Sequence, residues 1–139
     1  MSISLFVNNN NSYEQFKKKL NKYCKKNDIP ILVYPEDKHK IIEVCRERRR
    51  DKDCKYGKMV VLVEKYDMEM WTKETDIRSM YSTLSHVGIT LIMNIDTLGH
   101  IRENQSYDTG YLIYYIDNSL KIVKYTTHKV YTRLSQIFK

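Results

Sequence analysis

Glu64 follows an uninterrupted apolar run over residues 59–63, and chemistry can first be sought there. A carboxylate at the end of a buried strand can hold a divalent metal. With a second acid beside it, it can orient and deprotonate a water molecule. Here the next residue is Lys65, and an ammonium group cannot accept that proton. The plain alternative for Glu64 is a solvated residue at a strand end. Around a second apolar run, Ile89–Ile95, stand His86, Asn94, Asp96 and Arg102, which bring an imidazole, an amide, a carboxylate and a guanidinium to one stretch of chain. The plain alternative for His86 is a loop or helix C-terminal residue whose charge suits the helix dipole.

A second kind of chemistry is electrostatic. Arg46, Arg48, Arg49, Arg50, Lys52 and Lys55 form the densest positive run, and on a helix several of them would share a side on which to meet phosphates. Glu43, Glu47, Asp51 and Asp53 compensate part of that charge, so a solvated helix end fits the same residues. No aromatic ladder interleaves the run, and base stacking is not suggested. The net charge of +7 favours anionic partners, with nucleic acid the commonest of them. Cys24, Cys45 and Cys54 have neither C-x-x-C nor Cys/His ligand spacing, and they read as buried or free thiols.

The elements that must position these residues follow from apolar periodicity. Residues 2–7 read as a strand that ends in an asparagine cluster. Ser12 then offers an N-cap with Gln15 three residues on, and Tyr13, Phe16, Leu20 and Tyr23 recur at helical spacing. Residues 29–34 form a second strand, which Pro30 confines to a short or edge position. A charged helix over 36–53 carries Ile41, Ile42, Val44 and Cys45 on one side. Residues 59–63 and 89–95 have the continuous hydrophobicity of strands buried on both faces, with a connector over 67–75 and an amphipathic helix over 76–84 between them. A further strand over 111–116 is paired beside 120–123, and a terminal helix spans 129–138. Such alternation predicts one α/β domain over residues 1–139, a mostly parallel sheet with flanking helices. No run approaches the roughly 20 apolar residues of a membrane helix, and the N-terminus lacks a signal-peptide pattern, so a cytoplasmic protein with no membrane partner is expected.

From Gly57 to Tyr115 the chain reads GKMVVLVEKYD, then DIRSMYSTLSHVGITLIMNIDTLGHIRENQ, then YDTGYLIYY. This stretch resembles the core of the viral genome-packaging ATPases of the FtsK/HerA class, as found in poxviruses and other large DNA viruses. The resemblance implies a partial P-loop-NTPase-like core in which residues 59–63 are the Walker B strand. Glu64 is then its first acid and weak metal ligand, with Lys65 in place of the second. His86 falls on the Arg-His pair, Asn94 or Asp96 on the polar sensor, and Arg102 on the arginine finger. It also implies that the strand over 3–7 follows the phosphate-loop helix, so that the chain covers the part downstream of Walker A.

No G-x-x-x-x-G-K-[ST] occurs in the sequence, so the amides, lysine and hydroxyl that would hold phosphates and magnesium are missing. ATP and magnesium are therefore expected only where another chain supplies a phosphate loop. The expectation is a catalytically inactive, degenerate or truncated relative, acting beside DNA or a motor subunit in host cytoplasm or virion. The alternative is a small basic nucleic-acid-binding or host-interaction α/β domain without ATPase ancestry. A weaker resemblance, of Gly110 to Tyr114 with Tyr125 and Arg133 to the GIY-YIG nucleases, lacks a counterpart to the downstream metal-binding glutamate.

Overall fold

The structure is a computed structural model and describes residues 3–7, 12–50, 57–66, 87–95, 110–124 and 127–138. Among the described residues the apolar runs become a seven-stranded sheet in the order β2-β3-β4-β1-β5-β6-β7. Its strands are β1 (Ile3–Val7), β2 (Ile31–Tyr34), β3 (Met59–Tyr66), β4 (Ile89–Ile95), β5 (Gly110–Ile116), β6 (Ser119–Lys124) and β7 (Val130–Tyr131). All pairings from β2 across to β5 are parallel. β6 and β7 add an antiparallel margin. The fold is thus a mostly parallel α/β sheet with flanking helices, as the alternation of patterns predicts.

Helix α1 (Ser12–Lys26) packs on one face of the sheet, where Phe16, Leu20 and Cys24 join Phe6, Val60, Leu62, Ile92 and Ile113 in a buried cluster. The Phe6 and Phe16 rings stack with centroids 4.6 Å apart. Each of these fully buried large side chains contributes on the order of 1.5–3 kcal/mol through removal from water. The helix stops where Asp28 takes a left-handed φ of 55°, and Ile29 N–H donates back to the Cys24 carbonyl at 2.8 Å. That bond is the signature of a Schellman cap, and buried Ile29 and Cys24 supply its usual apolar contact.

Helix α2 (Lys38–Arg50) covers the opposite face, where Ile41, with Val44 and Cys45 beside it, meets Val61, Val63, Leu91 and Met93. The edge strand is β2, the place Pro30 predicts for it. Its outward backbone is closed by Asp37, whose carboxylate accepts from Val33 N–H at 2.8 Å while its own N–H donates to the Val33 carbonyl at 2.7 Å. An edge satisfied in this way offers little template for another strand.

Two expectations change. The helix expected over 129–138 is instead strand β7 and a single 3-10 turn, Leu134–Gln136. The backbone of Val123 and Ile122 in β6 is available to pair with Val130 and Tyr131, and only Leu134, Ile137 and Phe138 then fold back into the core. β3 runs three residues past Val63, so Glu64 lies within the strand rather than after it. The helix expected over 76–84 and the connector before it lie outside the described residues.

Candidate functional site

In sheets of this kind ligands bind outside the carboxyl ends of the parallel strands. At that end β3 and β4 run side by side and parallel, and their register shifts between Val63 and Tyr66. A bulge there interrupts the ladder and re-aims the side chains it contains. Glu64 sits in that irregularity. Its backbone carbonyl accepts a hydrogen bond from Asn94 Nδ2 at 2.9 Å, so a side-chain amide from β4 serves the group that the backbone ladder does not. Asn94 is only 8% exposed and pairs in register with Phe6 of β1.

The Glu64 carboxylate is held from α1. Lys17 Nζ lies 3.0 Å from both Oε1 and Oε2, with the two side chains 28% and 30% exposed. One turn earlier on the same side of the helix, Tyr13 brings its hydroxyl beside this carboxylate. Burial, and after it the Glu64 carboxylate, hold the Tyr13 pKa above the ordinary tyrosine range. Among the described residues, two buried polar atoms of this cluster make no hydrogen bond: the Tyr13 hydroxyl and Asn94 Oδ1.

The site is therefore a carboxylate neutralised by an internal cation, flanked by one amide and one phenol. A cation seated on both oxygens competes directly with any metal for the acid. Among the described residues no group of three His, Cys, Asp or Glu side chains converges as a metal would need.

Of the residues singled out in the sequence, Glu64 and Asn94 are brought together at adjacent strand ends. His86, Asp96 and Arg102 lie outside the described residues, as do Lys52 and Lys55 of the basic run. Within α2, Arg46 and Arg50 are exposed. Arg48 is not a free cation: its guanidinium donates to the Val87 carbonyl at 2.8 Å and to the Gly57 carbonyl at 3.0 Å, tying α2 to the approaches of β4 and β3. Sequence reasoning missed Lys17 and Tyr13. Their spacing of four residues, on the flank of the apolar stripe of a helix that begins close behind β1, was the available signal.

No protein-family model matches the chain, and no curated protein matches it. Solved structures do. The genome-packaging NTPase B204 of Sulfolobus turreted icosahedral virus 2, in complex with AMP, superimposes with a TM-score of 0.58 at 9% identity, over 95% of this chain and 96% of that one. The same NTPase in complex with ATP-gammaS gives a TM-score of 0.55 at 10% identity, over 94% of this chain and 95% of that one. A structure of ATPases 2 and 3 of EssC from Geobacillus thermodenitrificans gives 0.42 at 14% identity, over 95% of this chain and 32% of that one. At 9% and 10% identity the first two likenesses are of fold alone: the chain shares the fold of that packaging NTPase.

Proposed function

We propose that this chain is a viral packaging-ATPase-type core, degenerate in its nucleotide site, that does not hydrolyse nucleotide by itself and works as an accessory to DNA or to a packaging motor. The observation that carries the proposal is the Lys17 ammonium on both oxygens of Glu64. It neutralises, from within the chain, the acid that would have to hold a metal. Lys65 stands where a second acid would complete the chemistry.

The strand order supports a different alignment from the one the sequence suggests. β1 lies in the middle of the parallel block, between β4 and β5, and four asparagines, residues 8–11, connect it to α1. In a sheet wound this way the connection from the central strand into its helix is where phosphates are cradled. On this alignment the asparagines stand in the place of the phosphate loop, and the chain corresponds to a whole core rather than to its downstream part. Asparagine supplies neither the glycines that let the backbone close on a phosphate nor the lysine that reaches it. The residues present do not fit MgATP, and no catalytic step is assigned through it.

The test is calorimetry with MgATP, together with a phosphate-release assay, on the chain alone and on Glu64→Gln. No binding heat and no release above background are expected. Turnover by the unmodified chain that Glu64→Gln abolishes would sink the proposal.

A further inference from the structure

Among the described helices, exposed positive charge is least compensated on α1, not in the basic run of α2. Lys18, Lys19, Lys22, Lys25 and Lys26 are all exposed, and Glu14 is the only acid of that helix. On α2 the exposed cations Lys40, Arg46, Arg49 and Arg50 are interleaved with exposed Glu43 and Glu47, and Arg48 is turned inward onto carbonyls.

At 100° per residue the five α1 lysines fall within an arc of about 120°. That arc is opposite Tyr13, Phe16, Leu20 and Cys24, which are buried against the sheet. The arc therefore faces away from the sheet, with Lys19 at its margin. Lys17, about 80° outside the arc and beside the buried stripe, is spent on Glu64. None of the five is in an ion pair among the described residues, and Lys19 alone makes a ring contact, 5.7 Å from the centre of Tyr115. Like charges at i, i+4, as in Lys18, Lys22 and Lys26, work against the helix that carries them.

We infer that the outward face of α1 is a docking surface for the phosphate backbone of duplex nucleic acid, read without regard to base sequence. Lys18, Lys22 and Lys26 step along the helix by about 6 Å each, close to the rise of two phosphates along one strand at roughly 3.4 Å per phosphate. Lysine meets phosphate as a point charge and lacks the planar fork with which arginine reads guanine, so the contact fixes position and not sequence. A protein partner fits poorly, because protein interfaces are depleted in lysine and anchored by aromatic residues and arginine. A lipid surface fits poorly as well, because the apolar side of α1 is buried in the core and none is left to enter a bilayer.

The inference deepens the accessory reading by naming the face that meets nucleic acid, and the lysine arc stands whether or not the chain descends from an ATPase. Its test is fluorescence anisotropy with a labelled duplex of about 20 base pairs, titrated between about 50 and 200 mM salt. The proteins are the full chain, Lys18→Gln/Lys22→Gln/Lys25→Gln/Lys26→Gln, and Arg46→Gln/Arg50→Gln, with melting midpoints as the control for folding. Lys22→Gln/Lys26→Gln serves as a milder second variant.

The quadruple variant should bind at least about tenfold more weakly, with a log K against log salt slope shallower by about 3–4. The double lysine variant should show about half that change in slope, and the arginine pair should leave it nearly unaltered. Wild-type affinity and slope in both lysine variants would overturn the inference. An equal loss in the arginine variant would overturn the choice of face while leaving nucleic-acid binding intact. Failure of the full chain to bind duplex, whether or not it binds vesicles of phosphatidylserine and phosphatidylcholine, would remove the nucleic-acid reading itself and leave the question of turnover to the MgATP assay.

Discussion

Tyr13 buries its hydroxyl beside the Glu64 carboxylate, yet among the described residues no hydrogen bond to it is made. It is 6% exposed, its ring lies edge-on to Phe6 with centroids 5.5 Å apart, and the acid its hydroxyl faces is already held by Lys17. An unpaired buried hydroxyl costs on the order of 1–3 kcal/mol, whereas the ring's packing survives its removal. Tyr13→Phe should therefore raise stability by about 1 kcal/mol in urea unfolding, with an unchanged m-value. A loss of stability would mean that the hydroxyl is satisfied after all, by Glu64 or by water. At this scale the sequence was legible where chemistry coincides with the end of an apolar run, which is how Glu64 and Asn94 stood out. It was silent on Lys17, because a lysine on a lysine-rich helix looks solvated until a residue 47 positions away in sequence is folded against it. Helical spacing marked Tyr13 as core, but nothing in that spacing shows which acid its hydroxyl will face.

Helix α2 shows why a run of like charges is hard to read one residue at a time. Apolar periodicity located the helix and its buried side, and Ile41 is indeed buried there. Periodicity could not tell which of four neighbouring cations turns back to the protein, because that depends on where the Gly57 and Val87 carbonyls come to lie. Arg48 reaches both, and the two bonds need the spread of a guanidinium. Arg48→Ala should cost about 2 kcal/mol in chemical unfolding, and Arg48→Lys should recover less than half of it, since one ammonium cannot span two carbonyls. Full rescue by lysine would show that charge, not fork geometry, is what the helix uses. The C-terminal segment teaches a related lesson. Leu134, Ile137 and Phe138 have helical spacing, yet one 3-10 turn satisfies it, and β6 competes for the β-branched and aromatic residues just before it.

The strand order is a property of the whole molecule, and no local pattern contains it. Each parallel strand was visible as an apolar run, but β1 could be placed between β4 and β5 only once all five were assembled. The same assembly buries Cys24 where α1 meets the sheet, and this sets a pH dependence for global unfolding. Burial pushes the Cys24 thiol from its ordinary value near 9.0 up to about 11. A folded-state pKa above the unfolded one means that the folded protein holds the proton more tightly. The contribution is therefore complete below pH 9 and is lost as pH rises towards 11, amounting to at most about 2–3 kcal/mol. Tyr13 adds a loss of the same sign only above the ordinary tyrosine value of 10.0. That loss acts equally on a variant without the thiol, so the informative quantity is the difference between the protein and Cys24→Ala. That variant should be less stable by a roughly constant cavity cost up to pH 9, and the gap should then narrow by about 2 kcal/mol as pH approaches 11. A gap that stays constant in urea unfolding across this range would show that the thiol reaches water without α1 leaving the sheet.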